Sequence, residues 1–418
     1  MKLSNLILYI TVLLSSSLIA SDADVRYNYF GNLTGSVLNE KGYEVNSLTN
    51  SNIDNTINFS TYSKIGAQVS VFKDDFSFMA QGLAYQSKGE NKFDITWLNG
   101  KYQLNDNFSI RAGRMQFAFF LNSDTLDVDY VHLWAKAPIE IYSIMPLRSF
   151  DGLELTYEKI INDYYIYLKL TPTGTATREV NVQTNTVDVD FKKMKAISLS
   201  IQKDNFTFNS SYTVGNYTMP DDSITGLIAI RGALGALGND VSSYSYDNKK
   251  VELLSLGVDY NYENYSFSSE FTHTDSHSLA PNLIAYYLMM SYRYDKFTPF
   301  IMYSENKNDK DFYNVDNINI PTNLSAEDYA NAMYAKAGLE SIIYSMNSSQ
   351  QTNSIGFRYD YKVGIAFKVQ FDRITFSDYG VNPAAGLTKY QRYGFLSQET
   401  KVENKPVYQF TVGLSFAY

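Results

Sequence analysis

Tyr408-Gln-Phe-Thr-Val-Gly-Leu-Ser-Phe-Ala-Tyr418 alternates without a break. Tyr408, Phe410, Val412, Leu414, Phe416 and Tyr418 are aromatic or aliphatic; Gln409, Thr411, Gly413, Ser415 and Ala417 are small or polar. A period of two is that of a β-strand with one apolar and one polar face. At about 3.3 Å per residue and a tilt of about 40°, eleven residues rise about 28 Å, close to the apolar band of a membrane barrel. One face is thereby matched to hydrocarbon and the other to water.

Segments of this kind recur along the chain. Sixteen strands are expected, near 25–35, 59–72, 76–86, 93–103, 107–115, 150–158, 164–171, 193–202, 205–215, 251–262, 264–275, 282–294, 296–306, 350–361, 363–377 and 405–418. Seven connections are tiny and hold turn formers or charges: Lys73-Asp74-Asp75, Asn105-Asp106, Asn162-Asp163, Lys203-Asp204, Glu263-Asn264, Asp295-Lys296 and the corner at Lys362. The others are long or open, near 36–58, 87–92, 116–149, 172–192, 216–250, 276–281, 307–349 and 378–404. Short turns on one side and long loops on the other are the arrangement of outer-membrane barrels. The fold expected is therefore all-β, a transmembrane antiparallel β-barrel of about 16 strands. A soluble β-sandwich fits less well, because no linker divides the chain and charges of apolar parity (Lys195, Glu252, Arg373) avoid mid-strand.

The N-terminus has the form of a secretory signal: Lys2, an apolar run Leu6–Leu14, then Ser16-Ser17-Leu18-Ile19-Ala20 at a cleavage point. The expected organisation is a signal peptide over 1–20 and one barrel domain over 21–418. After the signal no uninterrupted apolar run is long enough to cross a bilayer as a helix. The sequence contains 36 Tyr, 26 Phe, 9 Pro and no Cys, so disulfides do not brace it. Without the signal, 34 basic groups face 44 acidic ones, a net charge of −10 that argues against a nucleic-acid partner. Tyr27, Tyr29, Tyr260, Tyr262, Tyr292, Tyr294, Tyr359, Tyr361 and Tyr408 fall near strand ends, where their rings suit the membrane–water boundary.

Inward parity selects Lys64, Gln68, Arg111, Glu154, Lys169, Asp259, Glu270, Arg293, Arg358, Asp360, Lys368, Gln370 and Asp372. Such a lining belongs to a wet bore, since dry unpaired charges are costly. Arg111, Glu154, Lys169, Glu270, Arg358 and Lys368 fall nearest mid-height and are the candidate pore wall. The third long connection, 116–149, carries Asp124, Asp127, Asp129, Lys136, Glu140 and Arg148 among the packing anchors Phe119, Phe120, Trp134 and Tyr142. It is too aromatic for disorder. Ser325-Ala-Glu-Asp328 opens a helical stretch to Met346 with Ser325 as N-cap. Ile224–Gly238 is apolar and glycine-rich, suited to folding inward or touching a neighbouring subunit.

Enzyme readings find little support. The three His are His132, His273 and His277, and no Gly-x-Ser-x-Gly elbow occurs. His273-Thr-Asp275-Ser-His277 puts three ligand types on one face, but at an outer strand end with lipid-side parity, so no metal site is expected. No catalytic residue and no cofactor is expected either. A plugged transporter would need a large domain before the first strand.

The signal, the alternation of turns and loops, the long third loop and the aromatic terminal strand resemble the general porins of Gram-negative bacteria. Gly113-Arg114, Ser123-Asp124, Leu126-Asp127-Val128, Pro138, Glu140, Tyr142 and Phe150-Asp151-Gly152 resemble a less studied group of porin-like outer-membrane proteins. That resemblance implies that loop 116–149 folds into the lumen as a constriction. It makes Asp124, Asp127, Asp129 and Glu140 the loop acids and Arg111 and Arg114 basic partners on the wall. It also implies outer-membrane location, contact with lipids and lipopolysaccharide, a homotrimer, and passive diffusion of small hydrophilic solutes, with a slight preference for cations from the loop acids. Tyr418 stands where that family usually ends in Phe, and no dense Arg cluster is visible. The alternative is a barrel serving as adhesin or receptor through its external loops.

Overall fold

The computed structural model describes residues 23–41, 43–45, 51–87, 89–145, 147–182, 185–308, 315–345, 349–376, 396–398 and 405–418. The signal expected over 1–20 lies outside them, as does most of 378–404. In chain order the strands are β1 (Asp24–Leu38), β2 (Tyr43–Val45), β3 (Ser51–Ile53), β4 (Lys64–Lys73), β5 (Phe76–Ser87), β6 (Glu90–Gln103), β7 (Phe108–Met115), β8 (Phe150–Ile161), β9 (Tyr164–Val182) and β10 (Asn185–Lys203). There follow β11 (Phe206–Thr218), β12 (Lys249–Tyr262), β13 (Tyr265–Asp275), β14 (Leu283–Tyr292), β15 (Phe297–Asn308), β16 (Gln350–Lys362), β17 (Ile365–Phe376), β18 (Leu396–Gln398) and β19 (Val407–Ala417). All but β2, β3 and β18 form one closed antiparallel barrel of sixteen strands; those three make a small separate sheet. Closure joins the ends of the chain. Leu33 of β1 lies opposite Leu414 of β19, and the backbones of Tyr29 and Tyr418 exchange two hydrogen bonds of 2.8 Å.

The faces are inverted relative to a water-soluble protein. Along β19, Tyr408, Phe410 and Val412 are 38%, 45% and 39% exposed, while Gln409, Thr411 and Ser415 are at or below 1%. A closed ring satisfies every wall N–H and C=O laterally, which hydrocarbon demands. Among the described residues no helix is long and apolar enough to cross a membrane; crossing falls to the strands. Near the short turns, outward aromatic pairs form a girdle: Phe76–Tyr102, Phe108–Tyr157, Tyr265–Tyr292 and Phe297–Phe357, with centroids 4.6 to 4.9 Å apart.

The seven short turns stand where expected. Six contain a residue of positive φ: Asp74, Asn162 with Asp163, Asp204, Glu263, Asp295 or Gly364. Such backbone matches the twist of tight hairpins. The seventh closes through the Asn105 side chain, which accepts from the Asn107 and Phe108 N–H groups at 3.0 and 3.1 Å.

Four expected loops differ. Loops 36–58 and 378–404 contain the short strands β2, β3 and β18. Residues 172–182 and 185–192 belong to strands, because β9 and β10 continue as a paired hairpin, with Ala176 opposite Phe191. Its run of Thr and Val has β propensity that extends pairing beyond the hydrocarbon belt. The 87–92 connection is taken up mostly by strand, with Ser87 paired to Glu90. The Ser325 N-cap forms as expected: its Oγ accepts from Asp328 N–H at 3.0 Å and heads a helix over Ala326–Ser345. The 224–238 stretch holds a helix over Leu227–Ala236 that packs against it, with the Ile230 side chain at Gly338.

Depth along the outward face sets the cost of charge. Val412, at mid-strand between Gly35 and Val369, replaced by Arg is expected to lower barrel stability by about 2–4 kcal/mol, against about 0–1 kcal/mol for Tyr260→Arg in the girdle. Urea titration of the protein folded into vesicles reads the difference; equal losses would mean that Val412 does not face hydrocarbon.

Candidate functional site

The segment 116–149 follows β7 and is built from short turns: 3-10 turns at Ser123–Thr125 and Asp129–Val131 and a helical turn, α1, over Ile139–Tyr142. An aromatic chain packs it. Phe117 lies 3.8 Å from Phe150 and 4.7 Å from Phe119; Phe120 and Trp134 meet Tyr142; Trp134 meets Tyr287 of β14 edge-on. This packing explains order in a stretch without long regular elements.

Its polar bonds end on inward-facing residues around the ring. Lys64 of β4 donates to Leu126 O at 3.0 Å and pairs with Asp129 and Asp127 at 3.0 and 3.5 Å. Lys169 of β9 pairs with Asp124 at 2.9 Å, and Ser211 of β11 donates to Phe119 O at 2.6 Å. Glu270 of β13 accepts from Leu121 N–H, Tyr142 OH and Ser255 OH at 2.9, 3.0 and 2.7 Å. Glu140 accepts from Ser304 of β15 and from Gln350 and Thr352 of β16, at 2.8, 2.6 and 2.5 Å. Lys136 reaches Asp372 of β17 at 2.7 Å and Gln409 of β19 at 3.0 Å, while Gln370 accepts from Ala135 N–H at 3.0 Å. Arg358 and Lys368 donate to the carbonyls of Tyr130 and Asp129. A segment tied to inward residues on strands from β4 round to β19 lies across the bore.

The expected wall residues therefore divide into three groups. Arg111, Glu154 and Lys169 share one sector of the inner wall: Arg111 pairs with Glu154 at 3.2 Å and lies over the Trp97 ring at 5.9 Å, while Glu154 and Lys169 are themselves buried. Glu270, Arg358 and Lys368 are buried anchors of the loop. Arg114 does not line the bore. It shares outward parity with Ala112 and Leu98 and makes a bidentate pair with Asp151, its cross-strand partner, at 2.8 and 2.7 Å. The reason is register, since only every second residue of β7 points inward, and Arg111 and Arg114 are three apart. Gly113 between them has φ 120°, a conformation open to glycine, and a Cβ there would strike Leu98 O.

The loop acids divide as well. The Asp124 side chain is 49% exposed; Asp127 and Glu140 are buried. Burial alone would raise the Asp127 carboxyl, but Arg148 at 3.2 Å and Lys64 outweigh it and hold it below its ordinary value. Burial likewise disfavours the Lys136 ammonium, and Asp372 reverses this and raises it. His132 has no such partner: burial, with Lys368 beside it, pushes the imidazole down to about 3, and its ring stacks on Trp134 at 4.7 Å. His273 stays apart on the outward face of β13. His277 meets Glu252 at 2.9 Å and Asp275 at 3.6 Å, with Lys250 2.8 Å from Glu252.

Sequence reasoning missed a cluster at the mouth. Arg178 of β9 lies 3.5 Å from Asp94 of β6, whose carboxylate accepts from Tyr85 OH at 2.7 Å, and Arg148 covers the Tyr85 ring at 4.5 Å. Arg178 was hidden by the reading of 172–192 as a loop. Ser304, Gln350 and Gln409 were legible only as polar residues of inward parity.

No protein-family model and no curated protein matches the sequence. Solved structures do. The outer membrane channel DcaP of Acinetobacter baumannii superposes with a TM-score of 0.52 at 11% identity, over 95% of this chain and 98% of that one. The trimer form of OmpT, an outer membrane protein of Vibrio cholerae, gives 0.51 at 8%, over 95% and 99%. An anion-selective porin from Comamonas acidovorans gives 0.50 at 9%, over 95% and 100%. At these identities the likeness concerns the fold: the chain has the closed sixteen-stranded antiparallel barrel of the outer-membrane porins.

Proposed function

We propose that this protein is an outer-membrane channel for passive diffusion of small hydrophilic solutes and ions, filtered where loop 116–149 narrows the bore. On this reading residues 1–20 are a cleaved export signal. The barrel sits among the lipids and lipopolysaccharide of a Gram-negative outer membrane, and three copies assemble. One observation carries the proposal: a ring with an apolar exterior holds a row of charges on its inner wall, Arg111, Glu154 and Lys169, facing the half-exposed Asp124. A barrel of this strand number is wide enough for water. Charges in low dielectric beside a narrow passage act on ions electrostatically.

The row alternates in sign, and Asp127, Asp129 and Glu140 are spent on the loop's own attachment. The constriction is therefore close to neutral, and the cation preference expected from counting loop acids gives way to weak selectivity. Planar-bilayer recording of the refolded protein should give large, stable unitary currents; silence would overturn the proposal and favour a receptor. Deletion of 119–145 should raise the conductance.

Point substitutions separate the filter from the anchor. Lys169→Gln should move the reversal potential in a salt gradient toward cations, and Asp124→Asn toward anions; unchanged potentials would remove both from the filter. Lys136→Met leaves Asp372 buried without its cation, and losing one partner of a buried pair costs about 3–5 kcal/mol. Its channels are expected to be larger or noisier, with barrel stability to heat retained on gels.

Acid should act through His132. Its imidazole resists protonation to about 3 while the loop is seated, whereas an unseated loop regains the ordinary value of about 6.5. Between these values the unseated form binds one more proton, so seating weakens as pH falls and strengthens as it rises. Current noise should grow from pH 7 to 4 and lose this dependence in His132→Gln. A flat wild-type response would mean that the loop stays seated in acid.

A further inference from the structure

Strand β4 is shorter than both neighbours at the long-loop end of the wall. Its pairing ends at Lys64, opposite Asn32 of β1 and Tyr85 of β5. Beyond that point β1 runs on to Leu38 beside β19, and β5 runs on to Ser87 beside β6. Between these two strand ends lies chain 54–63, fastened to β1 by Ser36–Asn58 backbone bonds and by Thr34 N–H donating to Ser63 Oγ. A cleft of about 750 Å³ opens there.

The lining of this cleft comes in adjacent pairs: Asn32 with Leu33, Lys64 with Ile65, and Ala84 with Tyr85. Neighbours on one strand point to opposite faces. Residues of both faces of the wall therefore border the cleft. Its outward lip is apolar and exposed, formed by Leu33, Ile57, Phe59 and Ile65. Gly35 lets the lip close on β1, since a Cβ there would touch the Phe59 ring at 3.0 Å. Its depth is polar. Asn32 is 8% exposed; its Nδ2 donates to Thr34 Oγ1 and Tyr62 O at 2.8 Å, and its Oδ1 has no hydrogen-bond partner. An empty buried acceptor is costly, and a donor from a ligand would satisfy it.

We infer that this cleft is a lateral binding site, open to the bilayer, for a neutral amphiphile with one apolar chain and a hydroxylated head. The chain would lie on the Leu33–Ile57–Phe59–Ile65 lip and a head-group hydroxyl would donate to Asn32 Oδ1. An anionic head is not favoured, because the two lysines of the cleft are already paired, Lys64 with Asp127 and Asp129, and Lys92 with Glu90 and Glu179.

The test uses the full chain folded into phosphatidylcholine vesicles containing either an alkyl glucoside with a diazirine in its chain or the same chain on a phosphocholine head. After irradiation, peptide mapping should place the glucoside label on 31–35 and 57–65. Preference over the phosphocholine probe should be about tenfold, as for one hydrogen bond made to an empty buried acceptor. Gly35→Leu, which fills the groove, should abolish the preference; Phe59→Asp, in the connecting segment, should do the same if the first variant fails to fold. Equal labelling by both probes, or label spread around the whole belt, would overturn the site. So would label found only in dissociated monomers, which would assign the cleft to a neighbouring copy.

Discussion

Lateral hydrogen bonding around a closed ring is the constraint from which the rest follows. In hydrocarbon an unpaired N–H or C=O finds no water, so a sheet that crosses a membrane cannot keep an edge. The chain meets this by pairing β1 with both β4 and β19, its own last strand. Once the ring is closed, side-chain alternation assigns each residue to oil or to the bore. The apolar residues go outward, and packing them together no longer holds the structure. Cohesion inside comes instead from polar groups and from the inserted loop.

That loop changes what the wall charges do. Glu270, Arg358 and Lys368 sit at mid-height with inward parity, the position of pore-lining groups, yet each is buried against loop backbone. Arg358 and Lys368 donate to loop carbonyls and Glu270 accepts from a loop N–H; such bonds are strong in a low dielectric, so these side chains act as pins. The pairing of Lys136 with Asp372 is of the same kind: two buried charges stabilise the assembly only together. In the sector near Arg111, Glu154, Lys169 and Asp124 opposite charges stand close enough to cancel much of one another's field.

Much of the barrel could be read along the chain. All sixteen wall strands were legible because period-two alternation is a local property, and the short turns because Asp, Asn and Gly at positive φ mark them. The hairpin over 172–192 escaped because strands that outrun the bilayer lose the apolar parity that betrays them. Arg114 was misassigned to the bore because its neighbourhood suggested a motif, whereas register places it beside Asp151 on the outside.

The sequence by itself determined which face of each wall strand meets hydrocarbon, how many strands make the wall and where the short turns fall, since each of these depends on residues a few positions apart. Only the tertiary structure decided where the third loop lies and which charges it consumes. Lys136 and Asp372 are far apart in the chain, and their pairing exists only once the ring has closed and the loop has crossed it. A charge facing inward is the same in sequence whether it will touch water or a carbonyl. The difference is set by what else occupies the bore.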